Sequence, residues 1–342
     1  MKALVKTRPA EGLELIEVER PRVGADDVLI DVSHAAICGT DLHIYQWDEW
    51  AQSALKPPVT VGHEFIGRVS GLGDQVTGIE VGTRVVAEGH VVCGRCRNCR
   101  AGAGHLCRNT VGIGIHRNGG FAEQVVVPAT NVYEIPAFVP DEVAVLLDPL
   151  GNAVHAALSF DLVGEDILIT GAGPIGQMAA AICRHAGARH VVITDIQQTR
   201  LETAKKMGAT RAVLPGESSL RSTMLELGMT EGFDVALEMS GNPKAVDDIL
   251  ATANHGCKIA LLGLAKAATL VDLNQVIFKG LTMKGIYGRQ IFETWYKAIA
   301  MLDSGLDVQP VISHRFGLAD FDAAFDTLAS GEASKIILEV CL

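Results

Sequence analysis

Between Asp166 and Ala188 the chain reads DILITGAGPIGQMAAAICRHAGA. A short apolar strand runs into a glycine turn, and the turn opens a helix that closes on a further glycine. A G-x-G-x-x-G run means little alone, but between a strand and a helix it marks a βαβ nucleotide-binding unit. Gly171 makes the tight turn, Gly173 lets backbone approach a pyrophosphate, and Gly176 permits close helix–strand packing. The helix N-terminus, with Ile175 in its first turn, supplies N–H donors and a favourable dipole for phosphate. The next strand, HVVITD, ends at Asp195, nineteen residues after Gly176. A carboxylate there accepts hydrogen bonds from both ribose hydroxyls of NAD and repels the 2′-phosphate of NADP. Arg200, five residues on, leaves some NADP use open.

Around this unit, strand and helix patterns alternate. TRLETAKKMGA and PKAVDDILATA read as helices, and FDVALEMS, CKIALLGL and LTMKGIYG as strands. Such alternation predicts an α/β, doubly wound parallel sheet over residues 148–294. Residues 1–147 differ in character. DDVLIDVSHAA, GRVSGLG, TRVVAEG and AEQVVVP are short β patterns broken by glycine, which predicts a β-rich domain. Residues 295–342 end in KIILEV, a strand expected to rejoin that first domain.

A second constraint is CGRCRNCRAGAGHLC. Cys93, Cys96 and Cys99 stand three apart and Cys107 follows eight later. Four thiolates close a tetrahedral site and leave no open position, so the spacing predicts a structural zinc. Four cysteines among Arg, Asn and Gly also make poor core material. The N-terminus lacks a long apolar stretch, and no run of about 18 apolar residues occurs, so a cytoplasmic chain with reduced cysteines is expected. The formal net charge of −11 argues against nucleic acid and anionic membrane as partners.

Cys38 in ICGTDLH and the adjacent His63 and Glu64 in GHEF form a third group. Alone, a Cys is more often a small buried apolar residue and a His-Glu pair an ordinary polar contact. Together they offer a thiolate, an imidazole and a carboxylate to a second zinc, with one position open for water or substrate oxygen. Asp41 reads as a capping or turn-forming residue.

CGTD, GHE, the four-cysteine lobe and GAGPIG, in this order and spanning the chain, resemble the zinc-dependent medium-chain alcohol dehydrogenases. The resemblance implies a GroES-like β domain followed by a Rossmann domain, with the active site in the cleft between them. It implies one catalytic zinc (Cys38, His63, Glu64), one structural zinc and a dimer or tetramer. It also implies a relay of Thr40 and His43 that carries the substrate proton to solvent. Other members offer a second Cys near the start of the cofactor domain, where this chain has Asp148 in DPLG. Asp148 is therefore read as a catalytic-site residue and not a permanent ligand. Leu262, Gly263 and Leu264 after the fifth cofactor-domain strand, and Ile286 and Tyr287 after the sixth, fall at strand C-terminal ends where the cofactor is expected. His90, Trp47 and Trp50 are weaker candidates for the substrate pocket.

Longer strings, among them ICGTDLHIYQWDEW, DPLGNAVHAALSFDLVGED and FETWYK, look closer still to the branch that oxidises the secondary alcohol of L-threonine. The function implied is L-threonine oxidation to 2-amino-3-oxobutanoate with reduction of NAD. A homotetramer is expected, functionally coupled to a CoA-dependent ligase that cleaves the product. The rival readings are a polyol or other secondary-alcohol dehydrogenase, and a non-catalytic zinc- and NAD-binding regulator.

Overall fold

The computed structural model describes residues 1–265 and 267–340. The chain forms two compact units. One comprises Met1–Asp148 together with the segment from Ile312, and the other comprises Pro149–Val311.

The second unit holds a six-stranded parallel sheet. In spatial order its strands are Arg211–Val213, His190–Thr194, Asp166–Thr170, Phe233–Glu238, Ala253–Leu261 and Thr282–Gly285. Numbered along the chain this is 3-2-1-4-5-6, the doubly wound order that places a crevice where it reverses, here between Asp166–Thr170 and Phe233–Glu238. Every residue of DILIT is buried, as a central strand covered on both faces requires. Helix Pro174–His185 begins with Pro in its first turn, whose missing N–H costs nothing there. The strand predicted from CKIALLGL begins earlier, at Ala253, because a shift of register beside Phe233–Val235 extends the pairing.

In the first unit the long strand Asp27–Ile37 is the hub. It pairs antiparallel with Glu64–Leu72, Gln124–Pro128 and Lys335–Glu339. Its inward residues Val28, Ile30 and Val32 join Phe65, Phe121, Phe325 and Ile336 in one apolar core. Two expected boundaries move. Asp148 closes the first unit instead of opening the second, and the return to the first unit comes at Ile312, not at residue 295. Helix Glu293–Asp303 causes the second shift, because its apolar face stays with the second unit. Trp295 and Ala298 are buried there, and the Arg289 guanidinium lies 5.7 Å from the Trp295 ring. No helix among the described residues is long and apolar enough to cross a membrane.

Candidate active site and metal centres

Strand Asp27–Ile37 ends just before Cys38, which caps helix Gly39–Gln46. Asp41, at the third helical position, reaches back so that its Oδ2 accepts the Cys38 N–H at 2.9 Å. The other oxygen, Oδ1, lies 3.5 Å from His63 Nδ1. Asp41 thus holds the Cys38 amide and also faces the neighbouring imidazole as a charge partner, a role beyond the cap expected from sequence. One ligand atom each from Cys38, His63 and Glu64 gather within 4.8 Å of one another. Burial pushes the His63 imidazole down, but Asp41 and the Cys38 sulfur outweigh it and hold the ring well above its ordinary value. Glu64 is buried and its Oε1 has no hydrogen-bond partner. Surplus negative charge, an orphaned carboxylate oxygen and an S/N/O donor set fit a zinc ion. Asp148 stands outside this trio, buried in the first turn of helix Leu147–Ala157.

Thr40 and His43 are three residues apart on the same helix and so share a face. The Thr40 hydroxyl is 3.8 Å from Cys38 Sγ. His43, half exposed, has its Nδ1 2.5 Å from Asp48 Oδ2. Asp48 caps helix Glu49–Ala54, accepting from the Ala51 N–H at 3.0 Å. That amide first, and then His43, hold the Asp48 carboxyl below its usual range. Sequence reading passed over Asp48, although D-x-x-A before a helical stretch is a capping pattern. Of the weaker candidates, Trp50 tilts against His43 with ring centroids 5.9 Å apart. Trp47 packs against the apolar core, with Lys6 Nζ 4.9 Å from its ring centroid. The His90 ring sits 3.1 Å from the buried Glu88 carboxylate.

The Sγ atoms of Cys93, Cys96, Cys99 and Cys107 also lie within 4.8 Å of one another. Backbone N–H groups of Arg95 and then Cys96 hold the Cys93 thiol down to about 6. Cys99 goes the other way, pushed up to about 12 by desolvation and by the adjoining Cys96 and Cys107 sulfurs. Four thiolates cannot share this space without a cation, and zinc suits the donors.

In the second unit the three glycines of the turn differ in what a side chain would meet. Gly171 has φ 93°, and a Cβ there would come 2.9 Å from Ser240 N. A Cβ on Gly176 would lie 2.0 Å from the Gly171 carbonyl oxygen. At Gly173 a Cβ would meet nothing within 4 Å, so that glycine faces space a phosphate group can enter. Asp195 Oδ2 accepts the Ala172 N–H at 2.7 Å, and its Oδ1 accepts from Gln197 N at 2.9 Å. Its carboxylate therefore also ties down the glycine turn. Leu262 and Gly263 donate their N–H groups to Glu238 O, at 2.9 and 3.0 Å. Ile286 N donates to Leu261 O at 2.8 Å, which leaves Leu264 and Tyr287 exposed beside these strand ends. Glu238 is a further organiser that went unread. Its buried Oε1 accepts from Thr170 Oγ1, Ser240 N, Ser240 Oγ and Gly241 N, which knits the loop beside the glycine turn.

Asp195→Ala is expected to weaken NAD binding and to narrow the preference for NAD over NADP, since a hydrogen-bond acceptor and a phosphate-repelling charge leave together. The kcat/KM ratio for the two cofactors measures this, and an unchanged ratio assigns cofactor choice to another group.

Comparison with known proteins gives the family of both units. Residues 24–137 match the model of the alcohol dehydrogenase GroES-like domain, and residues 174–304 match that of zinc-binding dehydrogenases. A protein called L-threonine 3-dehydrogenase from Aliivibrio fischeri is 58% identical over 339 residues, covering 99% of both chains. One of the same name from Shewanella loihica is 57% identical, again over 99% of each. Among solved structures, an Escherichia coli protein described as a short chain alcohol dehydrogenase, complexed with NADH, superposes with a TM-score of 0.91 at 28% identity, covering 99% of each chain. Galactitol-1-phosphate dehydrogenase from Escherichia coli gives a TM-score of 0.90 at 26% identity, covering 99% of this chain and 100% of its own. The chain belongs to the zinc-binding, medium-chain alcohol dehydrogenase family, and within it groups with proteins named L-threonine 3-dehydrogenase.

Proposed function

We propose that the chain oxidises the secondary alcohol of L-threonine to 2-amino-3-oxobutanoate and reduces NAD to NADH. The observation that carries this reading is full-length identity of 57–58% to proteins named for that activity. A zinc on Cys38, His63 and Glu64 and an NAD on the Gly171–Gly176 turn supply, when bound, a Lewis acid for the substrate oxygen and a hydride acceptor. The zinc on Cys93, Cys96, Cys99 and Cys107 is structural.

The chain's own residues manage the proton. Thr40 Oγ1, beside Cys38 Sγ, takes the hydroxyl proton and hands its own onward. His43 Nδ1–H donates to Asp48, which leaves Nε2 as the acceptor. An imidazole can both accept and release a proton, and the half-exposed His43 ring delivers it to solvent. The Asp48 carboxylate steadies the imidazolium while it lasts. Asp148 assists this transfer without being a standing metal ligand.

A rate comparison of L-threonine, sorbitol and 2,3-butanediol, read as NADH absorbance, tests the substrate. Preference for a polyol would overturn the threonine assignment. His43→Ala is expected to lower kcat by about 10²–10⁴-fold with both zincs and NAD binding retained. Added imidazole should restore part of the rate. Loss of a zinc, read by elemental analysis, would make His43 a ligand, and an unchanged kcat would remove it from the relay.

The assembly is read as a cytoplasmic homotetramer. Strand Thr282–Gly285 is the sheet's edge, and Leu270, Leu273, Ile277 and Phe278, in the segment that precedes it in sequence, are all exposed. An open edge with an apolar patch suits pairing with a second copy. Light scattering coupled to size exclusion measures the copy number. The product, a 2-amino-3-oxo acid, is the substrate of a CoA-dependent ligase that cleaves it, and this enzyme is the expected functional neighbour.

A further inference from the structure

Lys335 is a buried cation. It opens strand Lys335–Glu339, where Ile336, Ile337 and Leu338 are fully buried and its own side chain is 3% exposed. An apolar residue would be the ordinary occupant of such a position, because burying an ammonium is unfavourable unless it is closely paired. Here the pairing is close. Strand register sets Ile336 opposite Ile37, one residue before Cys38. Lys335 Nζ donates to the Ile37 carbonyl oxygen at 3.0 Å and lies 2.5 Å from Glu64 Oε2. The Lys335–Oε2 contact is an ion pair, and neither Glu64 oxygen has a hydrogen-bond partner.

We propose that Lys335 is the positioning residue of the catalytic metal centre: it withholds Glu64 Oε2, so that Glu64 offers the metal one oxygen and the coordination position needed by substrate stays open. The proposal rests on the catalytic-zinc reading of Cys38, His63 and Glu64. A free carboxylate beside a dication can bind through both oxygens, and a fourth protein contact would turn an open catalytic site into a closed one. The ammonium prevents this in two ways. It holds one oxygen, and it offsets the carboxylate charge, so the trio brings about one net negative charge to the dication instead of two. Strand Lys335–Glu339 is thereby part of the site, though 271 residues of sequence separate Lys335 from Glu64.

A plain structural prop and this role predict opposite results for Lys335→Met. Loss of a prop loosens the metal. Loss of a competitor for Glu64 tightens it, because the ligand gains an oxygen and the dication loses a like charge nearby. Zinc release to a chelator should therefore slow by roughly tenfold or more. At the same time kcat should fall by about 10–100-fold, in the range usual for residues behind a metal ligand. Lys335→Arg should restore both, since a guanidinium also holds a carboxylate oxygen. In the cobalt-substituted protein, Lys335→Met should weaken the visible absorption bands as coordination number rises. Faster zinc release, or parent-like release and kcat, would overturn the proposal.

If Lys335→Met does not fold, Glu64→Gln is compared with the pair Glu64→Gln and Lys335→Met. With Glu64→Gln there is no second carboxylate oxygen to withhold, so the two should agree in kcat within about twofold, and any like-charge effect of Lys335 shows only in zinc release. A larger difference in kcat overturns the proposal. Cys38→Ser serves as the control for the underlying reading. If it keeps two zincs, the catalytic centre itself is misassigned, whatever Lys335 does.

Discussion

Cys38→Ser is expected to lower kcat with L-threonine by about 10³–10⁴-fold while the protein still folds and binds NADH. A Lewis acid contributes several kcal/mol to the chemical step, and each 1.36 kcal/mol is a factor of ten. Serine keeps the size of the residue but removes the thiolate, so a zinc held by His63 and Glu64 alone should leave on dialysis. The fold should survive for a local reason. Residue 38 is the N-cap of helix Gly39–Gln46, and serine is among the favoured N-caps, so Thr40 and His43 keep their places. Asp41 can still accept the N–H of residue 38. The cofactor turn, Gly171–Gly176, lies in the other unit. Zinc should fall from two to one per chain by elemental analysis, with NADH fluorescence titration unchanged. A near-parent rate, or two zincs retained, would refute the assignment.

What could be read from sequence is what is local. The strand–glycine–helix run Asp166–Ala188, the four-cysteine spacing and the Cys38–His43 stretch carry their geometry within a few residues, so spacing alone exposes them. The residues that complete the site are not local. Lys335 meets the Ile37 carbonyl across 298 positions because two strands pair, and no periodicity in KIILEV announces it. Asp48 was hidden differently. It sits in plain view near His43, but a carboxylate that caps one helix and also receives a histidine from another is only apparent once both helices are placed. The boundary at Ile312 was missed because FETWYK has the apolar spacing of any surface helix. Which unit receives Trp295 is decided by packing, which sequence does not display.

The four-cysteine lobe leads to the last expected result, which concerns stability before activity. Of the four ligands only Cys107 is buried. Between Cys93 and Cys107 the regular structure amounts to helix Arg97–Arg100 and one short 3-10 turn, Gly104–Leu106. Leu106, its one large aliphatic residue, is exposed. A segment with so little apolar material cannot offset its own ordering entropy, so the metal is its core. The lobe is anchored at its base by the antiparallel pair His90–Val91 and Val111–Gly112, which confines the first damage to the excursion between them. Cys107→Ser removes the buried sulfur, which also accepts the N–H groups of Cys93 and Asn109 at 3.3 Å each. A loss of about 3 kcal/mol is modest beside the roughly 10–16 kcal/mol with which structural zinc binds small domains. For a chain of this size it corresponds to a Tm lower by roughly 4 °C. Limited proteolysis should cut between residues 93 and 110 in the variant and spare the parent. A strong chelator should bring the parent toward the same melting point, because the missing element in both cases is the metal. Catalytic zinc and NADH binding should persist below the lowered Tm, which separates this variant from Cys38→Ser. A variant that melts with the parent and resists protease would show that the lobe holds itself together without zinc.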